Sequence, residues 1–149
     1  MPDHARKQVR QAAVSDLTGL VTTGANVFNA RVKPIDEHRL PCLNVFLLDE
    51  NSDWDAAGTI LRTGDLVIEG RAFAGDTLFD VLDGIAAEVE TAIYAETPAL
   101  DRLLCNIGTP RTQMEIADTS QGADRRIGII RILFPVQYRT RQGDPTAIV

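Results

Sequence analysis

Side chains that could bind a metal ion are concentrated between residues 49 and 58. Four oxygen-bearing side chains stand there at alternate positions, namely Asp49, Asn51, Asp53 and Asp55. This spacing is similar to that of a helix–loop–helix calcium site, but Trp54 replaces its turn glycine and Ile60 its bidentate glutamate. We therefore predict no metal site and interpret 49–58 as a solvated acidic loop or a contact surface anchored by Trp54.

Residues suited to acid–base or nucleophilic catalysis are few and scattered. His4 lies near the start and His38 in a polar connection, while Cys42 opens an apolar stretch in which a buried thiol would be inert. Nucleophile-elbow, zinc-protease, phosphate-loop and dinucleotide-binding motifs are absent from the sequence. We predict no enzyme and no cofactor. A small enzyme remains an alternative only if His38, Cys42 or the acidic loop converge in a pocket.

Basic residues cluster modestly at the two ends of the chain. They are Arg6, Lys7 and Arg10 near the start, and Arg125, Arg126, Arg131, Arg139 and Arg141 near the end. Aromatic residues do not alternate with them as in a single-strand nucleic-acid platform. They are interpreted either as solvated surface and ion pairs or as contacts to an acidic neighbour, such as the acidic loop of another copy.

The strongest periodic pattern runs from residue 76 to residue 96 and predicts a helix that covers a sheet. Its apolar face consists of Leu78, Leu82, Ile85, Val89 and Ile93. Asp76 is predicted to cap the helix and Pro98 to stop it, while Gly84 weakens it.

The other elements predict an α+β fold. A first helix is predicted over 3–21, strands over 27–32, 42–49, 61–73, 109–118 and 127–138, and a second polar loop over 118–126. Gly64, Gly70 and Gly75 suggest bulges or turns, and Pro135 a sheet edge or bulge. The prediction is one domain over 1–149: a mostly antiparallel sheet of about five strands covered by two main helices, with a loose tail from about residue 139.

Composition limits the functional classes. The chain has 149 residues, 44% of them hydrophobic, and a formal net charge of -6, which is typical of a globular domain. The negative charge argues against broad binding to nucleic acid or to an anionic membrane. No apolar run approaches the roughly 20 residues of a membrane-spanning helix, so we expect a soluble protein that stays where it is made.

Several sequence segments resemble those of a known protein family. They are Arg6-Lys-Gln-Val-Arg-Gln-Ala-Ala-Val, Val27-Phe-Asn-Ala-Arg-Val-Lys-Pro, Leu40-Pro-Cys-Leu-Asn-Val-Phe and Tyr138-Arg-Thr-Arg-Gln-Gly-Asp-Pro. In this order, with the acidic loop between the last two, they resemble the small tail terminator or minor tail proteins of long-tailed bacteriophages and prophage remnants, the lambda tail-protein-U-like group.

The resemblance implies a structural function without a catalytic, cofactor or metal site. Such α+β proteins form a hexameric ring that caps the tail tube, ends its polymerisation and offers the head-joining surface. The implied partners are further copies of the chain, the tail tube protein and head–tail connector proteins, with no membrane. DNA would pass through the ring without specific binding.

The implied location is the virion tail, after assembly in the host bacterial cytoplasm. Another head–tail completion or neck protein of the virion is the alternative. Our predicted protein contacts are Asp49, Glu50, Asp53, Trp54, Asp55, Arg125 and Arg126.

Overall fold

The computed structural model describes residues 2–96, 99–117 and 125–149, which form an α+β fold. The helices are α1 (Ala5–Leu17) and α2 (Leu78–Tyr94); the strands are β1 (Val27–Asn29), β2 (Cys42–Trp54), β3 (Thr59–Ala74), β4 (Asn106–Ile107), β5 (Arg111–Ile116), β6 (Arg126–Arg141) and β7 (Asp144–Ile148). The predicted fold class is therefore confirmed. The predicted helix stop at Pro98 and residues 118–124 of the predicted second polar loop lie outside the described residues.

The sheet is mixed and has seven strands, in the order β1-β2-β3-β6, with β5, β4 and β7 sharing the far side of β6. The strand β1 runs parallel to β2, whereas the pairings of β3 with β2 and β6, and of β6 with β4, β5 and β7, are antiparallel. The prediction of about five mostly antiparallel strands is thus corrected. Parallel neighbours need a crossover that returns the chain to the same end of the sheet, and residues 30–41 provide it.

The helix α2 packs on the sheet through the face that the periodicity predicted. Its five predicted core residues are buried, at 5% exposure or less. Close approach is possible because Gly70 of β3 and Gly128 of β6 lie beneath the helix: a Cβ on Gly70 would stand 2.9 Å from Ile85. Gly70 therefore serves packing, and no bulge occurs there, because its pairing with β6 is regular. The N-cap is Thr77 and not Asp76.

The helix α1 is shorter than predicted and packs beside α2. It begins after His4, whose ring nitrogen accepts a hydrogen bond from the Arg6 backbone N–H. It ends at Leu17 because the chain then reverses around Gly19, whose φ of 95° suits glycine. Its inner side, including Val9, joins the core between the helices and the sheet.

The strand β6 is the centre of the sheet, so Pro135 does not mark a sheet edge. Pro135 lies between the residues of β6 that pair with β5 and those that pair with β4. The predicted loose tail is also wrong: β6 continues to Arg141, and β7 folds back against it. The Gln8 side chain of α1 donates a hydrogen bond to the Thr146 carbonyl at 2.7 Å, which fixes the chain end to the first helix.

Candidate functional site

The predicted acidic loop is mostly strand. The strand β2 continues to Trp54, and β3 resumes at Thr59, so only residues 55–58 form the turn. We call residues 49–63 of this β2–β3 hairpin the hairpin arm. Gly58 has a φ of 79°, and the Thr59 N–H donates to the Ala56 carbonyl, which closes the turn.

A β-bulge at the base of the hairpin arm decides which side chains point inward. Leu48 pairs with Asp65 and Asn51 with Thr63, so two residues of β2 oppose one residue of β3. Asp49 has a φ of 53° in this bulge. The extra residue reverses the inside–outside alternation of the strand, which turns the next side chain, Glu50, toward the helices.

Glu50 lies in a polar cluster that joins four elements. Its side chain is 9% exposed, and it accepts a hydrogen bond from the Tyr138 hydroxyl and one from Arg62 at 3.1 Å. Arg6 of α1 lies 3.6 Å from the same carboxylate. Burial, and then the neighbouring Glu50 carboxylate, raise the pKa of Tyr138, so its hydroxyl remains a donor. Glu50 was predicted as a protein contact, but its geometry is that of an internal support for the arm.

The other acidic residues of the hairpin arm face solvent around an exposed aromatic residue. Asp49 and Asp53 are exposed, and the Asp55 carboxylate accepts a hydrogen bond from Arg139 at 2.6 Å. Trp54 is 71% exposed and pairs with Ile60 across the hairpin. Because Arg139 pairs with Asp55, one negative charge of the tip is neutralised, and the tip is less acidic than its sequence indicates. Its most exposed large side chain is the apolar Trp54.

The predicted basic contacts lie at the opposite end of the sheet. Arg126 is exposed and pairs with Ala74, the last residue of β3. The Arg125 guanidinium lies over the Phe73 ring, 4.5 Å from its centroid. Ile60 and Ala74 are separated by about 46 Å of extended strand. The acidic and the basic predicted contact residues therefore lie too far apart to touch within one chain.

The residues considered for catalysis do not converge. Cys42 is fully buried at the start of β2, and burial raises the pKa of its thiol from 9.0 to about 11, which keeps it protonated. His38 is exposed near Asp36, and the acidic tip lies at the far end of β2. Among residues 2–96, 99–117 and 125–149, no group of three His, Cys, Asp or Glu is placed to hold a metal ion. None of the helices described in these ranges could span a membrane.

A groove on the outer side of α2 was missed by sequence reasoning. It has a volume of about 470 Å³ and lies between the turn after α1 and the C-terminal half of α2. We call it the α2 groove; its lining includes Leu20, Val21, Ala87, Glu88, Ala92 and Ala95. Small residues on the exposed side of a helix are typical of an ordinary surface, so only the position of residues 19–21 reveals the groove.

A known protein family matches most of the chain. A protein-family model described as phage minor tail protein U matches residues 4–120, which is more than three quarters of the chain and includes α1 to β5. No curated protein is significantly similar to the chain.

Proposed function

This chain belongs to the phage minor tail protein U family, and from that premise we propose that it forms a ring that caps the tail tube. Family membership makes it a structural protein of the phage tail and places it in the virion tail. The proposed ring ends tube polymerisation and offers the surface to which the head joins. Family membership over residues 4–120 is the observation that carries this proposal.

The distribution of exposed contact residues supports a ring of identical subunits. Rings form when two different patches of one subunit meet head to tail and the rotation closes. The hairpin arm with Trp54 and the end with Arg126 are two such different surfaces at opposite ends of β3. Each copy can therefore contact two neighbours at the same time.

The polar cluster around Glu50 also favours this proposal, because it holds the hairpin arm in place and a subunit of a ring must dock in one orientation. The cluster of Glu50 with Tyr138, Arg62 and Arg6 links the arm to β6 and α1. Arg62 also donates to the Thr140 hydroxyl at 2.9 Å. A preorganised arm loses less conformational entropy on binding, so the exposed tip can contribute more to affinity.

The proposed partners are further copies of the chain in a hexamer, the tail tube protein and head–tail connector proteins. Assembly would occur in the host bacterial cytoplasm, and DNA would pass through the ring without specific contacts. The negative net charge of the chain is compatible with such passage, since it provides little attraction for phosphate.

The test combines mass measurement with a tube assay. We expect light scattering after size-exclusion chromatography to give a hexamer mass at high protein concentration or with tail tubes present. We also expect the protein to bind tube ends and to stop their growth. Continued tube growth with no end binding would contradict the proposal. Binding to neck proteins without binding to tubes would instead identify a different head–tail completion protein.

A further inference from the structure

The α2 groove combines apolar walls with a buried acceptor. Glu88 lies in the groove, and its Oε1 accepts a hydrogen bond from the Thr22 backbone N–H at 3.0 Å. Its Oε2 is buried and has no hydrogen-bond partner among the residues that the structure describes. Buried polar atoms are nearly always paired in native proteins, so an unpaired carboxylate oxygen indicates a missing donor.

The walls of the groove indicate which kind of chemical group carries the missing hydrogen-bond donor. Leu20, Val21, Ala87, Ala92 and Ala95 present aliphatic surface, and Val21 is 95% exposed. An occupant that fits both features has a large apolar body and a single N–H or O–H donor. The indole of tryptophan has this chemistry, with Nε1–H as its only donor.

Trp54 is the one tryptophan of the chain, and it is 71% exposed at the tip of the hairpin arm. Exposed tryptophans that insert into pockets are among the strongest anchors of protein interfaces. The side chain lies outside the core, and Ile60 is its neighbour across the hairpin. Trp54 is therefore a large apolar group that its own chain leaves unburied.

Trp54 cannot reach the groove of its own chain. It pairs with Ile60, whereas the groove is formed by the C-terminal half of α2. At the end of that helix Tyr94 contacts Phe134, which pairs with Leu66 of β3. Six residues of strand separate Ile60 from Leu66, or about 20 Å, which is more than a tryptophan side chain spans. Any Trp54 that enters an α2 groove must come from another copy.

We infer that the α2 groove receives Trp54 of a neighbouring copy, with the indole Nε1–H donating to Glu88 Oε2. This inference rests on the proposed ring and assigns the α2 groove, and not the end with Arg126, as the surface that the hairpin arm of the neighbouring copy contacts. Because the tip and the groove are different surfaces, the contact is head to tail: every copy gives one tryptophan and receives one.

The single tryptophan makes the contact directly measurable by fluorescence. We expect the emission maximum of the wild-type protein to move to shorter wavelength on assembly, and quenching by acrylamide to fall. Trp54→Ala should weaken self-association at least about tenfold. Phe79→Ala is the matched control, since Phe79 is 54% exposed on α2 but does not line the groove, and it should assemble as the wild type does.

Two groove variants test the receiving side without disturbing the tip. Glu88→Gln keeps an oxygen for Thr22 but places an amide donor where the indole N–H needs an acceptor. Ala87→Leu fills the groove from an exposed helix position, so the helix should still form. We expect the subunits of both variants to remain folded. We expect their self-association to be about tenfold weaker than that of the wild type, or weaker still.

The outcomes separate the contact from the function. A wild-type ring whose tryptophan stays solvent-exposed, or a Trp54→Ala variant that assembles and caps tubes like the wild type, would overturn the contact and leave the ring. If assembly needs the tube, the same variants are compared in the capping assay. A wild-type protein that neither assembles nor binds tube ends would overturn both proposals.

Discussion

Glu50 and Trp54 lie four residues apart on one strand and face the same side of the sheet, yet only Trp54 is open to a partner. Glu50 is enclosed by Arg62 and Tyr138, whereas Trp54 is 71% exposed beyond them. The bulge at Asp49 produces this arrangement, because it turns Glu50 inward and leaves an ordinary alternation from there to the tip. Charge in a sequence therefore does not by itself identify a contact residue.

Cys42 gives a prediction at the residue scale, in the alkaline range. Its folded pKa is raised to about 11, so stability is intact below pH 9 and falls as the pH rises from 9 toward 11, where the unfolded thiol ionises but the folded one does not. Urea unfolding under reducing conditions measures this loss. Between about pH 8 and about pH 10, we expect the free energy of unfolding of Cys42→Ala to fall by about 1.4 kcal/mol less than that of the wild type.

The second cysteine provides the control for this measurement. Cys105 is exposed, so Cys105→Ala removes a thiol outside the core and is measured in parallel with Cys42→Ala. Tyr138, whose pKa is also raised by burial, adds a similar loss at higher pH in every one of these variants. An identical slope for the wild type and Cys42→Ala would show that the Cys42 thiol ionises as easily in the folded protein as in the unfolded chain.

At the element scale, α2 depends on where its glycines lie. A Cβ at Gly70 would stand 2.9 Å from Ile85 and 3.0 Å from Ile130, and both contacts involve the stiff Cγ2 branch of isoleucine. Gly84 in α2 has no heavy atom within 4 Å of the same position. We expect Gly70→Ala to lower the free energy of unfolding by about 1–3 kcal/mol.

The same change at Gly84 should act in the opposite direction. Gly84→Ala replaces a poor helix former by the best one in open space, so we expect a gain of about 0.5–1 kcal/mol. Urea unfolding at neutral pH measures both variants. A loss of stability at Gly84, or none at Gly70, would contradict the packing of α2 described above.

Elements with strong periodicity were predictable from the sequence, and those defined by pairing were not. The spacing of Leu82, Ile85 and Val89 fixes the buried face of α2 without any knowledge of the sheet. The strand β7, in contrast, contains Asp144 and Pro145 and forms because β6 offers it an edge. Of the predicted contacts, Trp54 lies exposed, but the inward turn of Glu50 required the bulge, and the α2 groove required the tertiary position of residues 19–21.

At the scale of the whole molecule, the distribution of charge predicts how the protein behaves toward DNA. The net charge is -6, and α2 carries Asp80, Asp83, Glu88 and Glu90 without a lysine or arginine. We expect no retardation of duplex DNA in gel-shift experiments at physiological salt, because phosphate contacts dominate such binding.

A charge-reversed variant tests whether the negative charge is the reason that the protein does not bind DNA. Replacing Asp80, Asp83 and Glu90 by lysine brings the net charge from -6 to zero and turns one helix face basic. We expect this variant to bind DNA weakly at low salt and to release it as salt rises. Tight, salt-resistant binding by the wild type would show a DNA site that the charge pattern does not reveal.

The position of β6 along the chain also determines when the protein can fold. Every residue of β3 pairs with β6, and β4, β5 and β7 pair with β6 alone. This shared strand begins at Arg126, about fifty residues after the end of β3 at Ala74. While the ribosome still holds that segment, the β2–β3 hairpin has already emerged with one long edge uncovered. The complete sheet can therefore form only after β6 has been synthesised, and nascent chains of this protein are open to strand pairing with one another during that interval.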